Sequence, residues 1–234
     1  METDFIFHHG GGLPLFAAFP LVDDPAGRSL LTGYYDEYAA IARRAGAGLM
    51  LESGTWRANP DWGARLGYSP ADYHAPQVEA LARAGADIVS AYTLTSVGEA
   101  TGIVRAARAA GVPVAISFTV ETNGRLAGGE TLAGAIAAVD AAASPEYFQV
   151  NCAHPLHVAA ALAEPGGWRE RIRGVRYNAS ARSHAELDEA EDLDEGDIGL
   201  LAGRHRELVP ALPALAIVGG CCGTDARHVS ALWN

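Results

Sequence analysis

Short apolar runs alternate along this chain with longer alanine-rich stretches in which apolar residues recur every three or four positions. The short runs predict strands at Ala47–Glu52, Ala86–Tyr92, Val112–Val120, Tyr147–Cys152, Ile172–Asn178 and Leu215–Gly219. The amphipathic stretches predict helices at Tyr34–Ala45, Ala75–Ala84, Val97–Ala110, Thr131–Ala142, Leu156–Ala163, His184–Glu191, Ile198–Leu208 and Ala226–Leu232. Ala45-Gly46, Ala84-Gly85 and Ala110-Gly111 each close a helix ahead of a strand, with glycine at the left-handed position after the last turn. Strand and helix alternate, which implies a parallel sheet covered by helices. The expected fold class is α/β, a (β/α)8-type barrel with about six clear strands in a single domain over 1–234. A full barrel needs about 250 residues. Phe5–Phe7 or Pro14–Phe19 could supply a further strand; otherwise the barrel is incomplete.

Composition narrows the class. The chain has 234 residues, 49% of them hydrophobic and 19% charged, enough for a large buried core and unlike a disordered chain. A formal net charge of −11 argues against nucleic acid or anionic membrane as a partner, since phosphate binding needs clustered Lys and Arg. The acidic stretch Glu186–Asp197 reads as a solvated helix or loop. No apolar run reaches membrane-spanning length, and Met1-Glu2-Thr3-Asp4 lacks the basic start of a signal peptide. Three cysteines do not make a disulfide framework, so the expected setting is a reducing one, the cytoplasm.

The candidate chemistry lies at strand ends. Asn151-Cys152 ends the fourth predicted strand, counting Ala47–Glu52 as the first, and Gly219-Gly220-Cys221-Cys222-Gly223 follows the last. Parallel α/β barrels place their active sites at that rim, where distant strand ends converge. Three thiolates suit zinc and leave its fourth position open to a substrate thiol, which the metal would hold as the nucleophilic thiolate. The flanking glycines allow a sharp turn close to the metal. Inert buried thiols and a vicinal disulfide between Cys221 and Cys222 are the alternatives.

Asn151-Cys152 and Gly219–Thr224 (GGCCGT) resemble the two zinc-ligand motifs of the homocysteine S-methyltransferase family. Weaker matches in the same order are Thr55-Trp56-Arg57-Ala58, Ser117-Phe118-Thr119 and Thr224–Val229, and the likeness runs from about Tyr34 to the end. The resemblance implies a (β/α)8 barrel and a Zn2+ cofactor held by Cys152, Cys221 and Cys222. It implies methyl transfer from a sulfonium or quaternary ammonium donor to a thiol, homocysteine by default, as in methionine biosynthesis. It also places Thr55 near the bound amino acid and Tyr177 and Asn178 on the rim by the pocket, with Asn151 and Tyr92 as further substrate-binding residues.

The chain departs from the family pattern in three places. The family's opening Asp-Gly-Gly is absent; the chain reads as starting just past it, and His8-His9 precede Gly10–Gly12. Tyr92 stands about where the family carries a glutamate for the amino group. The stretch from Tyr68 to Tyr73 is too short for the usual helix and strand. Glu52, at a strand end, could replace a lost carboxylate, and Glu121 occupies a similar place on another strand. His154 and His157 read mainly as polar rim residues with a lesser claim to proton transfer. Trp56, Trp62, Tyr68 and Tyr73 form either an aromatic wall for a cationic donor or a loop packed over the mouth.

The expected partners are therefore a small-molecule thiol and a methyl donor. The rival reading is a degenerate zinc-binding relative acting as a binding or assembly protein. In either case homo-oligomerisation could cover exposed sheet edges. A phosphate-binding barrel is disfavoured, because Gly10–Gly12 is poorly placed and Gly128-Gly129 reads as a plain turn.

Overall fold

In the computed structural model the described residues are 12–45, 65–67, 70–191, 194–224 and 226–233. Among the described residues five strands form one sheet in the order β1 Val89–Leu94, β2 Val114–Phe118, β3 Tyr147–Ala153, β4 Ile172–Tyr177 and β5 Ile217–Gly220. The helices are α1 Pro25–Ala45, α2 Pro70–Arg83, α3 Val97–Ala110, α4 Leu132–Ala142, α5 Pro155–Ala161, α6 His184–Asp188, α7 Ile198–Leu208 and α8 Ala226–Leu232. Sheet order follows chain order, and β2–β3, β3–β4 and β4–β5 pair in parallel. This is an α/β fold with a parallel five-stranded sheet, the arrangement of a partial barrel. The predicted strand Ala47–Glu52 lies outside the described residues, as does Phe5–Phe7.

Two compact units make up the chain, Met1–Ala91 with Thr101–Val114 and Tyr92–Ala100 with Ala115–Asn234. In the first, Pro14–Phe19 is not a strand. Two 3-10 turns, Pro14–Phe16 and Phe19–Asp23, take its place, each with proline in its first positions. Helix α1 begins nine residues before its predicted start because Asp24 Oδ1 accepts the Gly27 N–H at 2.8 Å and Pro25 follows it, pre-set for a first turn. Strand β1 starts later than predicted. Residues 84–86 are consumed by the exit turn of α2, in which Ala86 N–H donates to Leu81 O at 3.1 Å and Gly85 sits at φ 87°.

In the second unit the strand period of two separates a polar face from an apolar one. Gln149 and Asn151 on β3 stand in register with Gly174 and Arg176 on β4 and share one face. Phe148, Val150, Val175 and Tyr177 point the other way and are buried. That apolar face is the core. Phe148 stacks on Phe118 at 6.1 Å between centroids, and the Tyr177 hydroxyl reaches His205 Nδ1 on α7 at 3.1 Å. Among the described residues no helix is long and apolar enough to cross a membrane.

Candidate metal centre

Cys152 sits near the C-terminal end of β3 in an unusual backbone state. The β3–β4 register shifts between Asn151 and Ala153, and Cys152 takes φ 56°. A left-handed non-glycine residue costs about 1–3 kcal/mol. Such an extra residue re-aims a side chain. Here the Cys152 Sγ comes to lie 3.6 Å from Cys222 Sγ.

Cys221 and Cys222 follow β5 in a tight turn held by main-chain bonds. Cys221 N–H donates to Tyr177 O at 2.7 Å, Ala179 N–H to Cys222 O at 3.0 Å, and the Thr224 hydroxyl to Cys221 O at 2.7 Å. The glycines serve as expected. A Cβ on Gly220 would overlap the Thr224 hydroxyl, and Gly223, at φ 76°, would place one 2.7 Å from Asp194 O.

The three cysteines are free, and their sulfurs all lie within 4.8 Å of one another. Four sulfurs around zinc at about 2.3 Å in tetrahedral geometry stand about 3.8 Å apart, close to the Cys152–Cys222 spacing. The donor set therefore fits a zinc ion. Hydrogen bonds from the Cys152 thiol and then the Cys222 thiol pull Cys221 down to about 2, with the nearby Arg176 guanidinium adding to the effect against burial. Donating to Cys221 and Cys222, together with burial, pushes Cys152 up.

Asparagines hold the frame. Asn178 bridges the two cysteine segments, its Nδ2 donating to Cys152 O at 3.1 Å and its Oδ1 accepting the Cys222 N–H at 3.2 Å. Asn151 ties three strand ends together. Its Oδ1 accepts from the Thr93 N–H at 2.8 Å and the Ser117 hydroxyl at 2.7 Å, and its Nδ2 donates to Thr93 Oγ1 at 2.8 Å. Both side chains are buried and spent on the protein itself.

The other predicted site residues scatter. Tyr92 is on the sheet, with the Arg176 guanidinium 4.7 Å over its ring. Tyr177 is not brought to the cluster; its ring faces α7, and burial pushes its phenol up. Its neighbour in sequence projects from the opposite face of the strand, so only the main chain of Tyr177 touches the cysteine turn. Glu121 faces His184 Nδ1 at 3.1 Å. His154 caps α5 by accepting the Leu156 N–H on Nδ1 at 3.2 Å, and burial lowers its pKa to about 4. His157 bonds Ala181 O at 3.0 Å, and its pKa too is lowered by burial. Neither histidine stands among the sulfurs. Tyr73 falls within α2, and Gly128-Gly129 is the expected turn. Glu52, Thr55, Trp56, Trp62, Tyr68, His8 and His9 lie outside the described residues.

Sequence reasoning missed Arg176 and His184. The signal for Arg176 was a second arginine, after Arg173, inside the predicted strand Ile172–Asn178. For His184 no local signal existed, because its partners, Cys152 O at 2.6 Å and Glu121, are far away in the chain.

A parallel α/β sheet with three thiols gathered at its strand ends defines an α/β protein whose cysteine cluster could hold a metal ion. Comparison sharpens that class. The sequence profile described as homocysteine S-methyltransferase matches residues 37–234. The homocysteine methyltransferase MmuM from Escherichia coli has a similar fold. Its metallated form aligns at a TM-score of 0.53 and 19% identity, over 99% of this chain and 93% of that one. Its oxidized form aligns at 0.55 and 20% identity, over 100% and 92%. No curated protein is significantly similar in sequence. The chain belongs to the homocysteine S-methyltransferase family.

Proposed function

We propose that the chain is a zinc-dependent S-methyltransferase that moves a methyl group from a sulfonium or quaternary ammonium donor to a thiol, with homocysteine as the default acceptor. The observation that carries this reading is the convergence of Cys152, near the end of β3, with Cys221 and Cys222, just after β5, on either side of β4 in a family member. When bound, zinc supplies the positive charge that keeps a thiol ionised near neutral pH.

The chain's own residues do the rest. Cys152, Cys221 and Cys222 would hold the ion, each giving up its thiol proton on binding. Three protein ligands leave a position for the substrate sulfur. Asn151 and Asn178 support the site in this reading rather than touch substrate, because their polar atoms are already bonded within the protein. Arg176, stacked on the Tyr92 ring, places positive charge near Cys221. Glu52 and Thr55 remain candidates for the amino-acid end of the acceptor.

The test is zinc content by elemental analysis on reduced, chelator-free protein, followed by thermal shift with homocysteine. One zinc per chain and a midpoint that rises with thiol concentration support the enzyme. Zinc without any response to thiols favours the binding or assembly reading. A folded protein that takes up no zinc ends the proposal.

A further inference from the structure

Cys152 offers one more clue through its carbonyl rather than its sulfur. Three side chains converge on that oxygen: His184 Nε2 at 2.6 Å, Asn178 Nδ2 at 3.1 Å and Thr119 Oγ1 at 3.3 Å. A carbonyl has two lone pairs, so three donors fix its direction more tightly than one hydrogen bond would. The peptide they hold belongs to the left-handed residue that aims the sulfur at Cys222. Released, that residue would relax toward an ordinary strand conformation and swing its thiol out of the cluster.

His184 is itself held from several sides. Glu121 Oε1 lies 3.1 Å from its other ring nitrogen. Helix α6 begins at His184 with a reciprocal cap, in which Ser183 Oγ accepts the Glu186 N–H and Glu186 accepts the Ser183 N–H. The preceding segment is tied to Cys222 O through the Ala179 N–H, to His157 through Ala181 O and to Asp194 through the Ser180 hydroxyl. A helix of five residues contributes little burial of its own, since none of its residues is buried. Its placement of one imidazole against Cys152 is the distinctive thing it does.

The geometry points to His184, oriented by Glu121, as a positioning residue that holds Cys152 in metal-binding geometry. This rests on the zinc reading above. It is the backbone counterpart of the outer-shell partners that orient side-chain ligands, whose loss weakens metal binding about 10- to 100-fold.

The experiment uses the whole chain as wild type, H184A, H184Q, E121Q and C221S, reduced and metal-free. Each is titrated with cobalt(II), whose visible bands report tetrahedral thiolate coordination, and then with zinc in competition with a chromophoric chelator. H184A is expected to bind zinc about 10- to 100-fold more weakly and to give an altered cobalt spectrum. H184Q, whose amide can still donate, regains part of the affinity, and E121Q falls between. Folding of each variant is checked by circular dichroism, and H184Q and E121Q carry the test if H184A does not fold. A folded H184A with wild-type affinity and spectrum overturns the assignment and leaves the zinc reading intact. A folded wild type that takes up neither metal overturns both, and the C221S control separates cluster binding from adventitious uptake.

Discussion

The two cysteine-bearing segments reach the same place by different means. Cys221 and Cys222 sit in a glycine-flanked turn whose bonds run mostly from main chain to main chain, to Tyr177 and Ala179, with Thr224 close by in sequence. Cys152 sits on a strained strand end whose carbonyl is held by side chains from three other segments, at Thr119, Asn178 and His184. The turn is held mainly through main-chain bonds to one segment, at the end of β4. Cys152 is held through side chains drawn from several. The difference teaches that a ligand set can combine a main-chain-held half with a side-chain-held half, and that the side-chain-held half is where distant substitutions should act.

The largest effect tests whether the halves form one site. C152S, C221S and C222S should each abolish stoichiometric zinc, because each removes one of three thiolates. Retention of full zinc by C152S, measured by elemental analysis, would leave the pair in the turn as a site of its own.

Next comes the bridge between the halves. N178A strips a bond from each segment and leaves Cys152 O and the Cys222 N–H without that partner, so a stability loss of about 2–4 kcal/mol is expected in urea unfolding. N178D keeps the acceptor for Cys222 but loses the donor to Cys152. It should therefore harm the strained segment more, which amide exchange at the two sites can compare.

Backbone strain distinguishes the halves with opposite signs. In the metal-free protein C152G should be more stable than C152A by about 1–2 kcal/mol, because glycine takes the left-handed conformation without the Cβ penalty. G223A should cost about 1–3 kcal/mol, since the turn already uses that freedom and a Cβ would press on Asp194 O. Equal stability of C152G and C152A would remove the argument for a forced Cys152.

The smallest effect lies on the opposite face of the sheet. Y177F removes the hydroxyl from His205 and should cost about 1 kcal/mol with zinc affinity unchanged. Burial lowers the His205 pKa, so the unfolded chain takes up its proton first as pH falls. Stability from neutral His205 is thus fully present above its unfolded value of about 6.5 and is lost as pH drops below it toward the folded value. H205N should flatten that part of the stability–pH curve.

The sequence by itself determined the α/β class, the positions of β2, β3, β4, α3, α7 and α8 to within a few residues, and the GGCCGT turn. These depend on period, burial and glycine, which act between near neighbours. It misplaced the start of α1, taking the helix to begin at Tyr34, while Asp24 and Pro25 formed an N-terminal cap nine residues earlier. Its placement of Tyr177 on the rim carried no side-chain direction, and in the fold the ring faces α7. Only the tertiary structure decided that Cys152 turns into the left-handed region, that Asn178 joins the two segments, and that Arg176 and His184 belong to the site. Those outcomes rest on hydrogen bonds spanning 26 to 63 residues, and no local pattern records a bond whose two ends are brought together only by folding.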